Sequence, residues 1–163
     1  MRNLNLCALF LLLGMNCLNA QITVVKDSKP VSRILVEKGE AVDNQAALLL
    51  QDFVKRISGA SLPVVNDKSP RKGDIVIGGN DVSGLTEDGF RLKTENGIVF
   101  ISSGGDKGNI YGVVTLLEDY LGVAYYGANA YTLTERSTVV IPELDRAENP
   151  AFRYRQSQCY ALR

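Results

Sequence analysis

The spacing of apolar residues switches along this chain between the short runs typical of strands and the three- and four-residue steps typical of helices. Two stretches keep the helical spacing long enough to predict amphipathic helices with one buried stripe. They contain Ala46, Leu49, Leu50, Phe53, Val54 and Ile57 in the first and Ile110, Val113, Val114, Leu117, Tyr120 and Leu121 in the second. Because strand-like runs flank both, we predict an α+β fold, a mixed β-sheet with two amphipathic helices on one face.

Residues at the ends of the two helical stretches fit the expected boundaries. Asp43 has the side chain of an N-terminal cap, and Gly59 supplies the left-handed conformation that ends a helix. Asp106 and Gly122 are expected to have the same two roles in the second stretch.

Short β-branched runs around these helices predict strands at residues 22–25, 34–36, 62–65, 74–78, 123–126 and 138–141. The run at 62–65 is predicted at a sheet edge, because Pro63 has no amide hydrogen for a ladder. The run at 74–78 is continuously apolar, as in a central strand covered on both faces. Farther along, Asn96-Gly97 joins the alternating segment at residues 90–95 to the apolar segment at 98–101. This dipeptide predicts a tight antiparallel hairpin.

The first twenty residues have the composition of an export signal. Arg2 supplies a positive charge, residues 4–13 are almost wholly apolar, and Ala20 is a small residue at a plausible cleavage point. The apolar stretch is shorter than the roughly 20 residues that span a bilayer. Residues 1–20 are therefore predicted to be a signal peptide of a periplasmic or secreted protein with no membrane span. The residues before Cys17 fit a lipobox poorly, so a lipoprotein is the less favoured alternative.

Composition narrows the chemistry open to the chain. It has 18 basic and 18 acidic residues and no histidine. The balanced charge argues against binding nucleic acid, and the lack of histidine removes the commonest general base and imidazole metal ligands. Of the three cysteines, only Cys159 lies beyond the predicted signal peptide, so no disulfide is expected within the domain. The sequence predicts neither a cofactor nor a metal.

Features that resemble catalytic or ligand sites are better explained as structural. The glycines of residues 104–108 match no phosphate-binding pattern, and Gly108 and Gly112 are expected to let the second helix pack closely on the sheet. The adjacent acids Glu118 and Asp119 diverge by about a hundred degrees on a helix, so they do not converge on one glycosidic bond. Four other acidic residues have the sequence positions of helix-cap, surface and loop residues, namely Asp43, Asp52, Glu87 and Asp88. No catalytic residue is assigned.

Tyr125, Tyr126 and Tyr131 allow two interpretations. Aromatic faces suit the apolar faces of sugar rings, which would make these residues a glycan platform. Neighbouring residues of a strand point to opposite sides, so at most one of Tyr125 and Tyr126 lies in the core. Packing in the core and at an interface is the favoured interpretation, and sugar stacking stays open.

Several motifs, taken together in this order and spacing, resemble the N-terminal domain of bacterial α-glucuronidase-like glycoside hydrolases. They are ISGASLPV at 57–64, GDIVIG at 73–78, DGF at 88–90, GNIYGV at 108–113, LLEDYLG at 116–122, IPEL at 141–144 and NPAFRYR at 149–155. The helix motif is also similar to one in β-N-acetylhexosaminidases. The resemblance covers residues 29–155, nearly all of the predicted mature chain.

The resemblance implies a hexosaminidase-like N-terminal domain over residues 21–145 that packs beside a catalytic (β/α)8 barrel. It implies that residues 146–163 are the linker and the start of that barrel, so we expect a fragment or a truncated product. In the hexosaminidase pattern F-x-x-R, an arginine on the first barrel strand binds sugar hydroxyls. Phe152 and Arg155 match this pattern, which makes Arg155 the one candidate substrate-binding residue.

The resulting prediction is a non-catalytic accessory domain of an exported, α-glucuronidase-like glycoside hydrolase that acts in carbohydrate breakdown. Its partner would be a (β/α)8 barrel in the same chain or in another. Two alternatives stay open, a free-standing module that binds glycans and a module that docks on another protein. The glycan partner is suggested by the tyrosines, and the docking partner by an apolar tail of Phe152, Tyr154, Tyr160 and Leu162.

Overall fold

The computed structural model describes residues 21–37, 39–66, 69–105, 107–127 and 130–151, and within these ranges it shows an α+β fold. The helices are α1 (Ala41–Ser58) and α2 (Gly108–Thr115), and α2 continues as a π-helical turn, Leu116–Tyr120. The strands are β1 (Ile22–Lys26), β2 (Lys29–Pro30), β3 (Ile34–Val36), β4 (Val64–Val65), β5 (Ile75–Ile77), β6 (Phe90–Glu95), β7 (Ile98–Ser103), β8 (Val123–Gly127), β9 (Ala130–Leu133), β10 (Val139–Ile141) and β11 (Asp145–Glu148). The predicted fold class is confirmed.

The main sheet has six strands in the order β11-β6-β7-β5-β3-β4. The four strands from β7 to β4 are parallel, and β6 and β11 run antiparallel to them. Ile75 of β5 pairs with Ile34 on one side and with Val99 on the other. As predicted, the run in β5 is central and buried, and the run containing Pro63 forms an edge strand.

Both helices cover one face of this sheet. Alternation along the strands directs every second side chain to that face, where they form one buried cluster with the helical stripe. The strand residues of the cluster are Ile34, Val36, Ile75, Ile77, Phe90, Leu92, Val99 and Ile101, and the α1 residues are Ala46, Ala47, Leu50, Phe53, Val54 and Ile57. Complete burial of one such large apolar side chain contributes about 1.5–3 kcal/mol, so this interface stabilises the domain.

The predicted hairpin and helix stops are confirmed. Asn96 and Gly97 have φ angles of 52° and 77° between β6 and β7, as a tight hairpin turn requires. Gly59 ends α1 at φ 75° and donates its amide hydrogen to Lys55 O at 2.7 Å. Gly122 follows the π-helical turn at φ 72°.

The N-terminal cap predicted for the first helix is wrong. The helix begins at Ala41 with Glu40 in the cap position, so Asp43 lies in the first turn. An acid there still interacts favourably with the helix dipole, but the side chain of Asp43 is buried against α2 instead of capping α1. The other predicted cap, Asp106, lies outside the described residues.

The strands do not form a single sheet. The run at 22–25 forms β1, the middle strand of a separate three-stranded sheet, where it pairs with β10 from the run at 138–141 on one side and with β2 on the other. Strand β8 pairs with the unpredicted β9. Strand pairing between segments more than a hundred residues apart is a tertiary choice that residue periodicity does not encode.

The segment at residues 145–148, where the linker was predicted to begin, forms strand β11 on the edge of the main sheet. Its alternation of exposed and half-buried positions is that of an edge strand with one covered face. The rest of the predicted barrel start, from Phe152 onward, and the predicted signal peptide at residues 1–20 lie outside the described residues. Within the described residues, neither helix is long and apolar enough to cross a membrane.

Candidate functional site

The glycine-rich segment before α2 serves close packing. A Cβ atom built on Gly108 would lie 2.3 Å from the carbonyl oxygen of Gly89, at the start of the β6 hairpin. On Gly112 it would lie 2.8 Å from Cγ2 of Ile101 on β7. Neither position has room for even a methyl group, because helix and sheet are already in contact. The packing role predicted for Gly108 and Gly112 is confirmed.

The paired acids of the π-helical turn are exposed, and one of them holds the sheet edge. Asp119 accepts a hydrogen bond of 2.5 Å from Nη1 of Arg146 on β11, and Arg146 also pairs with Glu148. Hydrogen bonds to Asp119, Tyr120 and Glu148 raise the pKa of Arg146. These contacts tie β11 to the helix, which is a structural role. No cluster of three or more acidic or cysteine side chains that could hold a metal ion occurs in the part of the chain described.

Two of the three candidate tyrosines are packed rather than presented to solvent. Tyr125 and Tyr131 contact Phe53 of α1 edge-on, with ring centroids 5.3 and 5.2 Å away. Burial, with a smaller contribution from the Glu118 carboxylate, raises the pKa of Tyr125 to about 12. The hydroxyl of Tyr125 is buried without a hydrogen-bond partner among the described residues. Tyr126 points the other way and is exposed, as expected for neighbours in a strand.

Arg56 covers the outer side of this aromatic cluster. Its guanidinium lies 5.6 Å from the ring centroid of Tyr131 and 5.9 Å from that of Phe53. It donates hydrogen bonds to the Tyr131 hydroxyl at 2.5 Å and to Asp52 at 2.8 Å. Tyr131 packs against Phe53 beneath the Arg56 guanidinium, and Tyr125 packs against Phe53 with its hydroxyl buried, so both residues fit the packing interpretation.

A buried polar pair joins the first turns of the two helices. Nδ2 of Asn109 donates a hydrogen bond of 2.6 Å to Oδ1 of Asp43. Both residues are buried, and two of their side-chain oxygens, Oδ2 of Asp43 and Oδ1 of Asn109, have no hydrogen-bond partner among the described residues. A short hydrogen bond in a buried, low-dielectric place is strong, so this pair sets how α1 lies against α2.

The outer side of the two helices carries apolar side chains that the sequence reasoning missed. Leu48 of α1 is 58% exposed and Tyr111 of α2 is 41% exposed. We call the solvent-facing side of α1 and α2, which includes these two residues, the helix surface. The signal for Leu48 was present in the sequence, since it is a large apolar residue outside the buried stripe. The predicted substrate-binding residue, Arg155, lies outside the described residues.

The comparisons with known proteins agree with this architecture. The sequence model of glycosyl hydrolase family 20, domain 2, matches residues 19–118. No curated protein matches the chain in sequence.

Solved glycoside hydrolases share the fold. An exo-β-N-acetylglucosaminidase of family GH20 from Vibrio harveyi has a TM-score of 0.54 at 21% identity, over 83% of this chain and 18% of that one. A family GH115 4-O-methyl-α-glucuronidase has a TM-score of 0.57 at 16% identity, over 82% of this chain and 19% of that one. The N-acetyl-β-hexosaminidase of Streptomyces plicatus has a TM-score of 0.56 at 14% identity, over 84% and 25%. The chain therefore spans a quarter or less of each of these enzymes.

The family match covers more than half of the sequence, and the structural matches show the same fold in GH20 and GH115 enzymes. Together they confirm the resemblance stated from the motifs. The chain belongs to the family described as glycosyl hydrolase family 20, domain 2.

Proposed function

We propose that this chain is the non-catalytic accessory domain of an exported glycoside hydrolase, and that it packs against a catalytic (β/α)8 barrel in the same or another chain. The family match carries the proposal. The contacts of the described residues support it, because Asp43, Asp52, Asp119 and Tyr125 are held by other side chains of the domain. Export is proposed from the composition of residues 1–20.

The helix surface is the proposed docking face. Leu48 and Tyr111 are large apolar side chains that would leave water when a barrel covers them. The Asp43–Asn109 hydrogen bond sets one helix against the other before docking. A preordered surface loses less conformational entropy on association, which favours binding.

The sugar acted on by the partner barrel is proposed to be a glucuronide, because the motifs at residues 57–64 and 108–122 resemble α-glucuronidase-like proteins. The second candidate is an N-acetylglucosaminide, which the match to family 20 favours. Arg155 is proposed to contact the sugar only once it is part of a complete barrel.

A first experiment measures hydrolysis of aryl α-glucuronides and of aryl N-acetyl-β-glucosaminides by the purified chain. We expect no turnover of either substrate. Turnover that a single acid substitution, such as Glu118→Gln, abolishes would overturn the non-catalytic role. N-terminal sequencing of the protein recovered from its own host is expected to begin at Gln21, and a retained Met1 would contradict export by a cleaved signal.

A second experiment tests docking. The tagged chain is crosslinked in its host, and the attached peptides are identified by mass spectrometry. We expect peptides of a glycoside hydrolase barrel crosslinked to Lys55 of α1. The double substitution Leu48→Asp and Tyr111→Asp is expected to abolish them. Val82→Asp, at an exposed apolar residue of the loop between β5 and β6, should not. Recovery of the same barrel with both variants, or of no barrel with the native chain, would refute docking through the helix surface.

A further inference from the structure

The face of the main sheet opposite the helices carries a pocket. Strand alternation points Leu35, Val76 and Phe100 away from the helical core, and these residues line the pocket. Leu35 and Val76 are fully buried although neither belongs to the cluster beneath the helices. The pocket therefore has an apolar floor of its own, with one aromatic ring.

The pocket is small. It encloses about 210 Å³, below the roughly 300–1,000 Å³ of pockets for drug-sized ligands. That space suits a single ring with its substituents rather than an extended chain. Leu35, Val76 and Phe100 sit on adjacent strands in register, so the floor is continuous across β3, β5 and β7.

Polar side chains surround this floor and are held in position by each other. Nδ2 of Asn80 donates a hydrogen bond of 3.0 Å to Glu37. Nζ of Lys93 lies 3.3 Å from Glu95 and 3.8 Å from Asp81. Because these side chains are already fixed by their mutual contacts, they lose little conformational entropy when they bind a ligand.

The balance of charge selects the ligand. Three carboxylates line the pocket, those of Glu37, Asp81 and Glu95. Two positive charges face them, the Lys93 ammonium on the pocket lining and the Arg91 guanidinium 2.7 Å from Asp81, so among these groups one negative charge is in excess. The hydrogen bond from Arg91 lowers the pKa of Asp81, so that this carboxylate stays ionised. The excess of negative charge repels an anion, while carboxylates, an amide and an ammonium together accept from and donate to hydroxyl groups.

We propose that this pocket binds one neutral sugar ring, with the ring's apolar face on Phe100 and its hydroxyls toward Glu37, Asn80 and Lys93. A neutral ring with an apolar face and a hydroxylated edge satisfies both the floor and the rim. This inference goes beyond the proposed function, because docking uses the helix surface on the other side of the sheet. A neutral sugar of a longer glycan held here would keep the rest of that glycan near a barrel bound to the helices.

The test is a titration of the ¹⁵N-labelled chain followed by amide chemical shifts. Methyl β-D-glucopyranoside and methyl β-D-galactopyranoside are the neutral probes, and methyl β-D-glucuronide is the anionic one. We expect saturable shifts at Val76, Asn80 and Phe100 with millimolar affinity for at least one neutral probe, and roughly fivefold weaker binding of the glucuronide. No saturable shift with either neutral probe, or tighter binding of the glucuronide, would overturn the proposal.

Two variants locate the site. Phe100→Leu keeps an apolar floor but removes the aromatic face, and Asn80→Ala removes an exposed amide from the rim. Both are expected to weaken binding at least severalfold. Tyr111→Leu is the matched control, since it removes an aromatic ring from the opposite side. If Phe100→Leu fails to fold, the test rests on Asn80→Ala. An Asn80→Ala variant that binds the neutral probes with unchanged affinity would refute the site. The double variant Leu48→Asp and Tyr111→Asp is expected to bind the sugar with unchanged affinity. That result would distinguish a failure of docking from a failure of sugar binding.

Discussion

The carboxylate of Asp74, directly before β5, is a buried charged group held by Arg33 and by the backbone of Arg71. It is 3% exposed and accepts hydrogen bonds from Nε of Arg33 at 3.0 Å, from Nη2 of Arg33 at 2.6 Å and from the Arg71 amide at 2.8 Å. The substitution Asp74→Ala removes all three. Removal of one partner from a buried pair typically costs about 3–5 kcal/mol. Because the Arg33 side chain keeps 23% of its surface in water, we expect the lower end, about 3 kcal/mol.

Urea and thermal unfolding of the full chain, followed by circular dichroism, measure this loss. At about 2–4 °C per kcal/mol for a domain of this size, the midpoint should fall by about 6–12 °C. Asp52→Ala is the matched control, because its ion pair with Arg56 has a similar length of 2.8 Å but side chains about half exposed. We expect no measurable loss there. Equal effects of the two substitutions would refute the argument that burial decides the strength of the pair.

The same pair predicts a loss of stability in acid. Burial by itself raises the pKa of Asp74, but hydrogen bonds from Arg33 and from the Arg71 amide outweigh it, so the net pKa is lowered. A carboxylate with a lowered pKa in the folded state contributes stability above its unfolded-state pKa of about 3.9, and this contribution is lost as pH falls through the folded-state value. Asp74→Asn should flatten this part of the pH–stability curve. If the Asp74→Asn variant lost stability in acid as steeply as the native chain, the assigned role of Asp74 would be contradicted.

Three further predictions concern single contacts. Gly108→Ala should destabilise the domain by about 1–3 kcal/mol in urea unfolding, because the new methyl group meets the Gly89 carbonyl at 2.3 Å; unchanged stability would show that the helix can move away. Tyr125→Phe should be neutral or stabilising by up to about 1 kcal/mol, since the lost hydroxyl is buried without a partner; a clear loss would reveal an undetected hydrogen bond. Asn109→Asp should place two carboxyls within hydrogen-bond distance at Asp43, so its stability relative to the native chain should recover as pH is lowered from 7 toward 4; a deficit independent of pH would exclude charge repulsion as the cause.

Local patterns in the sequence were sufficient for the elements that depend on neighbours in the chain. The stripe from Ala46 to Ile57 predicts α1 because helix geometry brings residues three and four apart to one side. Asn96-Gly97 predicts the hairpin because the turn needs two positive φ angles. The packing role of Gly108 and Gly112 was also predictable, since a glycine on the covered side of a helix allows close approach to a sheet.

Only the tertiary structure decided which distant segments meet. It placed β1 against β10 in a separate sheet, buried Asp43 against Asn109, and turned the polar stretch at 145–148 into an edge strand. It also brought Glu37, Asn80 and Lys93 around one apolar floor, although they lie far apart in the chain. The physical reason is that periodicity reports which side of an element is covered, whereas the choice of what covers it depends on the free energy of the whole packed arrangement.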